Sequence, residues 1–240
     1  MYMAFQSQLS LFASGRINGL VMDLGEGVSQ AVPIYEGYAV HEAVSRSSVG
    51  GSELTTFLKQ YLRDRGYEDF PRGIVKKIKE SLAHVIDDFE MEYRKSICGD
   101  LEKCYELPDG CVITVAFERF ICAEALFHPK LLNIEDEGIQ TLAYQSIIKC
   151  DLDIRKELFH NIVLSGGTSL IANLDDRLLK DVVALVPLHT KVKVIAPSER
   201  KYSAWTGGSI LANLNSFQDM WITKHEYDEH GSGIINKKCF

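Results

Sequence analysis

The chain contains no CxxC pair, so a zinc site built on closely spaced cysteine ligands has no basis in it. Its six cysteines, Cys98, Cys104, Cys111, Cys122, Cys150 and Cys239, are scattered over 240 residues. With no secretory leader in view, they are expected to be reduced thiols of an intracellular protein rather than a disulfide framework. A basic excess is also missing. Twenty-six Lys and Arg stand against 33 Asp and Glu, a net charge of −7, which argues against nucleic acid as a partner. No long apolar run is present. The first residues have no basic leader, and Gln6 and Gln8 interrupt their apolar pattern, so neither a signal peptide nor a membrane span is expected. The GxxxxGK[ST] and GxGxxG patterns are absent, which removes the P-loop and dinucleotide fingerprints. No Ser-His-Asp or Cys-His set can be assembled from the sequence, and no internal repeat, low-complexity tract or linker interrupts it.

What is present fits a globular protein. Hydrophobic residues make up 46% of the chain, enough for a substantial core, and charged residues 25%. The length suits one large domain or two modest ones. Phe5, Leu9 and Phe12 fall near helical spacing and predict a short N-terminal helix. Gly19 to Leu24 is an apolar run that contains Asp23 near its end. The turn Gly25-Glu26-Gly27 and a returning strand from Val28 to Tyr35 follow it. Leu54, Phe57, Leu58, Tyr61 and Leu62 predict a helix with Ser52 as its cap and Gly66 as its left-handed stop. A second helix opens near Pro71, with Ile74, Val75, Ile78, Leu82, Val85, Ile86 and Phe89 on one face. Taken alone, Lys79-Glu80 on this helix reads as a solvated pair. A hairpin is predicted around Pro108-Asp109-Gly110, helical periodicity resumes near Glu118, and strands are predicted at Asn161–Leu164 and Lys191–Pro197. Short helical segments run from Ser203 to Tyr227. Trp205 and Trp221 read as core. Helices and strands mix throughout, so the class is α/β or α+β.

Two glycine loops, each ending an apolar strand, are the candidates for chemistry. In Asp23-Leu-Gly-Glu-Gly27, glycines allow backbone N–H groups to approach phosphate oxygens, and an acidic strand end can hold a divalent cation through water. In Ser165-Gly-Gly-Thr168, a helix beginning there would favour an anion at its N-terminus. In isolation the first loop reads more readily as a plain hairpin turn, and the second equally well as a strand-to-helix connection.

Longer stretches carry a more specific signal. Leu11-Phe-Ala-Ser-Gly-Arg16, Val32-Pro-Ile-Tyr-Glu-Gly-Tyr38, Tyr105-Glu-Leu-Pro-Asp-Gly110, Val163-Leu-Ser-Gly-Gly-Thr168, Ala196-Pro-Ser-Glu-Arg-Lys-Tyr202 and Lys238-Cys-Phe240 resemble actin, in order, over essentially the whole chain. The resemblance implies an actin-like ATPase (ribonuclease H-like) fold of two lobes closing on ATP or ADP with Mg or Ca. It implies an inter-lobe helix and hinge at 1–16 and a large lobe at 17–202 with a smaller subdomain inserted at about 50–138. Residues 203–240 would form a C-terminal strip of the other lobe. Asp23 would hold the cation's water shell, Gln6 would orient the attacking water, and the Gly25, Glu26, Gly27 and Val28 turn would bind the terminal phosphates. Gly51, Lys76, Lys79 and Glu80 would lie near the ribose and base, Gly166, Gly167 and Thr168 along the diphosphate, and Lys201 beside the base. Phosphoryl transfer asks for little more than such positioning and charge stabilisation.

The departures from the family pattern are specific. Gln30 stands where actin carries a histidine and cannot shuttle a proton as imidazole does. Leu170-Ile171 replace Met-Tyr beneath the base, and Lys76 replaces an arginine. By the same resemblance, the family's first phosphate loop would precede Met1, which predicts weakened ATP binding and apolar surface around Ile210, Leu211, Leu214 and Trp221. Two functions follow. One is a cytoplasmic, cytoskeletal, filament-forming subunit that binds other actin or actin-like subunits and hydrolyses ATP slowly. The other is a nucleotide-inactive module that binds actin or actin-binding partners through a cleft near Phe12, Ala13, Gly15, Ile17, Gly37, Ile210, Leu211 and Met220. Thr206 stands there in place of the usual aliphatic residue.

Overall fold

The computed structural model describes residues 1–87 and 102–239. The chain opens with α1 (Gln6–Ala13), followed by β1 (Gly19–Leu24), β2 (Ser29–Tyr35), β3 (Tyr38–Ala39) and β4 (Ser45–Ser47). Next come α2 (Gly51–Asp64), α3 (Arg72–Leu82), the hairpin of β5 (Lys103–Glu106) and β6 (Val112–Val115), and α4 (Glu118–Glu124). Then α5 (Ile139–Ile148) and α6 (Leu152–His160) lead into β7 (Ile162–Ser165), and α7 (Leu174–Leu185) into β8 (Val194–Ile195). The last helices are α8 (Ser203–Ala212), α9 (Lys224–His230) and α10 (Ile235–Lys238).

The larger sheet runs β3-β2-β1-β7-β8, and β4 also pairs with β2. β1 is antiparallel to β2 and parallel to β7. All six residues of β1 are buried. This explains its near-continuous apolar sequence, since a central strand covered on both faces has no solvent side to mark. Leu20, Met22 and Leu24 point into the main core, which includes residues of α2, α3, α5 and α7, whereas Val21 joins Leu11 of α1 in a smaller cluster on the opposite face. Asp23 shares the face of Val21 by strand alternation.

α2 follows its predicted stripe, with Leu54, Leu58 and Leu62 almost wholly buried, each contributing about 1.5–3 kcal/mol of apolar burial. Its end forms the expected glycine stop. Gly66 has φ +89°, its N–H donates to Arg63 O and Tyr67 N–H donates to Leu62 O, the paired bonds of a Schellman cap. The start differs from expectation. The cap is Gly50, whose N–H donates to Glu53 Oε2, while Ser52 lies inside the helix and its hydroxyl accepts from Arg72. Only glycine fits at the cap, because a Cβ there would lie 2.6 Å from Glu26 O.

α3 stops at Leu82, short of the predicted stripe. Ala83 is extended, and Val85 N–H donates to Ala172 O. Val85 and Ile86 are therefore buried through tertiary pairing rather than helix periodicity, and Phe89 lies outside the described residues. The strand predicted at Lys191–Pro197 contracts to Val194–Ile195. The N-terminal helix forms, but it buries Ser7, Gln8, Ser10 and Leu11, while Phe5 is exposed. The tryptophans are not core, since Trp205 is 77% exposed and Trp221 lies at the surface. Ile210 and Leu214 are also exposed, whereas Leu211 is half-buried. The five described cysteines are all free; Cys98 lies outside the described residues. Among the described residues no helix is long and apolar enough to cross a membrane.

One buried ion pair holds α7 against α4. Arg177 Nη2 donates to Glu124 Oε1 at 2.9 Å, Nη1 donates to Ile86 O at 2.6 Å, and the guanidinium lies 4.8 Å from the Phe127 ring centroid. Such a pair is stabilising relative to either half alone, because the remaining charge would be buried without compensation.

Candidate functional site

The hairpin β1–β2 delivers Asp23 and the Gly25-Glu26-Gly27 turn to one end of the sheet, and parallel pairing of β1 with β7 places Ser165 beside Asp23. The two glycine loops meet here. Gly166 has φ +87°, and a Cβ on it would lie 2.3 Å from Leu24 O and 2.9 Å from Asp23 Oδ1. Glycine at this position therefore allows both the backbone conformation and the close approach of β7 to β1.

A small hydrogen-bond network ties four chain segments together. Gly25 O accepts from Gly51 N–H at 3.0 Å and from Thr168 Oγ1 at 2.7 Å. Glu26 O accepts from Ser52 N–H at 2.7 Å. Lys79 Nζ, from α3, donates to Gly51 O. The turn, the start of α2, α3 and the second glycine loop are thus locked around one opening, a cavity of about 490 Å³ lined by Glu26, Lys76, Lys79, Glu80, Gly167, Thr168, Leu170, Ile171 and Lys201.

Lys79 departs most from the sequence reading. It is 4% exposed, not half of a solvated pair, and burial holds its ammonium below the usual lysine range while the nearby Glu26 charge works against that shift. Glu80 is exposed, as expected. Lys76 lies at the cavity's solvent side, 3.2 Å from Glu26 Oε2.

Asp23 is buried, and its Oδ1 makes no hydrogen bond. Oδ2 accepts from Gln30 Nε2 at 3.5 Å, since Gln30 is its cross-strand partner. Burial pushes the carboxyl above its ordinary range, and the Gln30 contact offsets this only in part. A buried carboxylate oxygen without a partner is costly. Asp23 is not among the residues that line the cavity, and among the described residues no three acidic, histidine or cysteine side chains cluster as a multi-ligand metal centre.

Of the predicted residues, Glu26, Lys76, Lys79, Glu80, Gly167, Thr168 and Lys201 line the cavity. Gly25, Gly51 and Gly166 stand behind it as backbone supports. Gly27 and Val28 complete the turn, and a Cβ on Gly27 would meet nothing within 4 Å. Gln6 is the exposed first residue of α1 and does not line the cavity. Ser165-Gly-Gly-Thr168 leads into a single 3₁₀ turn, Gly167–Leu170, rather than a long helix, so any anion preference rests on backbone N–H groups and lysines. Sequence reasoning missed Arg200. Its guanidinium donates to Ser169 O and Pro197 O, its carbonyl accepts from Gly166 N–H, and it fixes the second loop from behind. A half-buried loop arginine next to Lys201 carries no local pattern that would reveal this.

Four of the residues expected at a partner cleft come together. Phe12, Gly37, Leu211 and Met220 line a second cavity of about 170 Å³ together with Tyr2, Ala4, Gln8, Leu9, Glu36 and Tyr38. Ala13, Gly15, Ile17 and Ile210 do not line it. A model of the actin family matches the chain in two overlapping segments, residues 1–78 and 67–240.

Proposed function

Because this chain belongs to the actin family, we propose that the larger cavity takes ATP or ADP together with Mg or Ca, and that the protein acts as a filament-type cytoskeletal subunit in the cytoplasm. One observation carries this reading. Two glycine loops, the start of α2 and the buried Lys79 converge on one cavity, where Lys79 and Lys201 add to the Lys76–Glu26 ion pair. The fit is chemical. Lysines favour a polyanion, Gly167 leaves room for backbone approach, and the unpartnered Asp23 oxygen suits a hydrated cation.

In this reading, Lys79 lies near the ribose and base and Lys201 beside the base, and the N–H groups of the Gly25 to Val28 turn and of Gly167 would take the phosphates. The cation would supply charge neutralisation of the phosphates when bound. Asp23 would orient its water shell, whereas Gln6, exposed at the start of α1 and outside the cavity lining, is given no part in it. Gln30 cannot relay a proton, so turnover is expected to be slow. The same reading makes the fold a ribonuclease H-like ATPase, with residues 17–202 as the large lobe, an insertion at about 50–138, and residues 203–240 belonging with the other lobe.

Fluorescent-nucleotide titration of the chain with and without magnesium tests the proposal. We expect saturable binding that unlabelled ATP displaces. Lys79→Met should weaken it about tenfold or more, the scale of one charged hydrogen bond, with a thermal melt to confirm that the variant is folded. No binding by the unaltered chain rejects the reading. Sedimentation with actin filaments tests the subunit role, and a chain left wholly in the supernatant argues against it.

The smaller cavity supports a second reading, a module that binds actin or its partners without turning over nucleotide. Phe12, Leu211 and Met220, which are distant in sequence, come together at its wall.

A further inference from the structure

The wall of the larger cavity holds charge and little that can read a base. Among the described residues that line it none is aromatic, and its apolar part is Leu170 and Ile171. A base laid there meets aliphatic carbon instead of the π-face on which bases stack. Bases are otherwise told apart by the donors and acceptors along their edges, so selection needs matching groups held in place. Neutral polar groups of this wall are turned to the protein itself. Thr168 Oγ1 donates to Gly25 O at 2.7 Å, and Thr168 O accepts from Ile171 N–H. Ile171 O accepts from Leu174 N–H, and Ser169 O accepts from Arg200 Nη2 at 3.0 Å. The buried Lys79 donates to Gly51 O.

Charge is what remains toward a ligand. Lys201 and Glu80 are exposed, and Lys76 is paired with Glu26. An ammonium donates to N7 of adenine and to N7 or O6 of guanine alike. An exposed carboxylate gains little from a base amino group, because water already bonds both. Such side chains can hold a base without choosing it. The phosphate chain is the same in every nucleotide, and charged donors pair with it strongly. We infer that the cavity selects its ligand by the phosphate chain and leaves the base almost unread, so that its ligand class is nucleoside di- and triphosphates in general rather than adenine nucleotides. That a nucleotide enters at all rests on the reading above; the breadth of the class rests on the composition of this wall.

Competition against a ribose-labelled fluorescent ADP tests this on the full chain, with ATP, GTP, UTP and inorganic tripolyphosphate titrated in turn. ATP, GTP and UTP should displace the label with affinities within about tenfold of one another, the low end of what apolar contact alone discriminates. Tripolyphosphate should displace it too. A preference for ATP beyond about tenfold, or tripolyphosphate that does not compete, overturns the inference. Leu170→Trp, at a position 43% exposed, supplies the missing stacking face. It should tighten the three nucleotides about fivefold or more and leave tripolyphosphate unchanged. Equal effects on tripolyphosphate and the nucleotides, including none on either, would take the base away from this wall and overturn the inference as well. The two readings fail differently. If the label does not bind, the nucleotide reading falls and this one with it. If the label binds and ATP alone displaces it, the nucleotide reading stands and only the breadth of the class is lost.

Discussion

At the residue scale, the two adjacent glycines of the second loop make different demands. Gly166 combines φ +87° with a Cβ position 2.3 Å from the Leu24 carbonyl oxygen, whereas a Cβ on Gly167 would meet only Lys201 Cγ at 3.8 Å. Gly166→Ala is expected to cost about 1–3 kcal/mol from backbone strain alone, and more from the overlap with β1. Gly167→Ala should stay within about 1 kcal/mol. Urea unfolding of the two variants checks this, and equal losses would contradict the close approach of β7 to β1. The double glycine was legible as a loop, but nothing in Ser-Gly-Gly-Thr says which glycine is irreplaceable. Lys79 shows the converse. It falls four residues after Val75, on the buried side of α3, so its burial was present in the periodicity. A lysine there reads as solvated until a carbonyl partner, Gly51 O, is known.

At the element scale, strands and helices with an uninterrupted pattern were readable and their ends were not. β1, β2 and α2 follow their apolar runs, and Gly66 marks its stop. The end of α3 is set by pairing with Ala172, and the start of α2 by the space beside Glu26, and both are contacts distant in sequence. α9 is the clearest locally encoded element. Thr223 Oγ1 accepts from Glu226 N–H, and Glu226 Oε2 accepts from Thr223 N–H at 2.8 Å, a reciprocal capping box. Lys238 Nζ adds a contact to Glu226 Oε1 at 2.6 Å. The Lys238 bond first, and then the Thr223 bonds, hold the Glu226 carboxyl down at about 2, from an ordinary 4.5. A depressed carboxylate favours the folded state above its unfolded value and loses that contribution as pH falls. The cap is therefore expected to be complete above pH 4.5 and to be lost between 4.5 and about 2. Carbon-13 NMR titration of the Glu226 carboxyl should give a midpoint near 2, and Lys238→Met should move it upward. A midpoint at the ordinary value in the unaltered chain would show that the bonds do not persist in solution.

At the scale of the whole molecule, the two ends of the chain are built against each other. The Met1 ammonium donates to Ile222 O at 2.7 Å, Met3 N–H donates to Cys239 Sγ, and the Tyr2 ring meets Phe217 edge-on at 5.1 Å. α1 and α8 approach so closely that a Cβ on Gly207 would lie 1.7 Å from Leu9 O, and this contact brings Leu211 toward Phe12. The smaller cavity is thus a product of long-range assembly, and Ala13, Gly15, Ile17 and Ile210, which the family resemblance grouped with Phe12 and Leu211, do not line it. In the second reading proposed above, its apolar residues Leu9, Phe12, Leu211 and Met220 would take the spaced apolar anchors of an amphipathic partner helix. Such a peptide, at micromolar concentration, is expected to bind the chain, and Leu211→Asp should weaken it about tenfold or more, as loss of a central anchor does. The same substitution should leave nucleotide titration unchanged, because Leu211 lines the smaller cavity and not the larger one. Fluorescence anisotropy of the labelled peptide and nucleotide titration on the same sample separate the two readings. A substitution that abolishes both would mean that the cavities depend on one packing unit. Loss of neither would mean that the peptide does not use the smaller cavity.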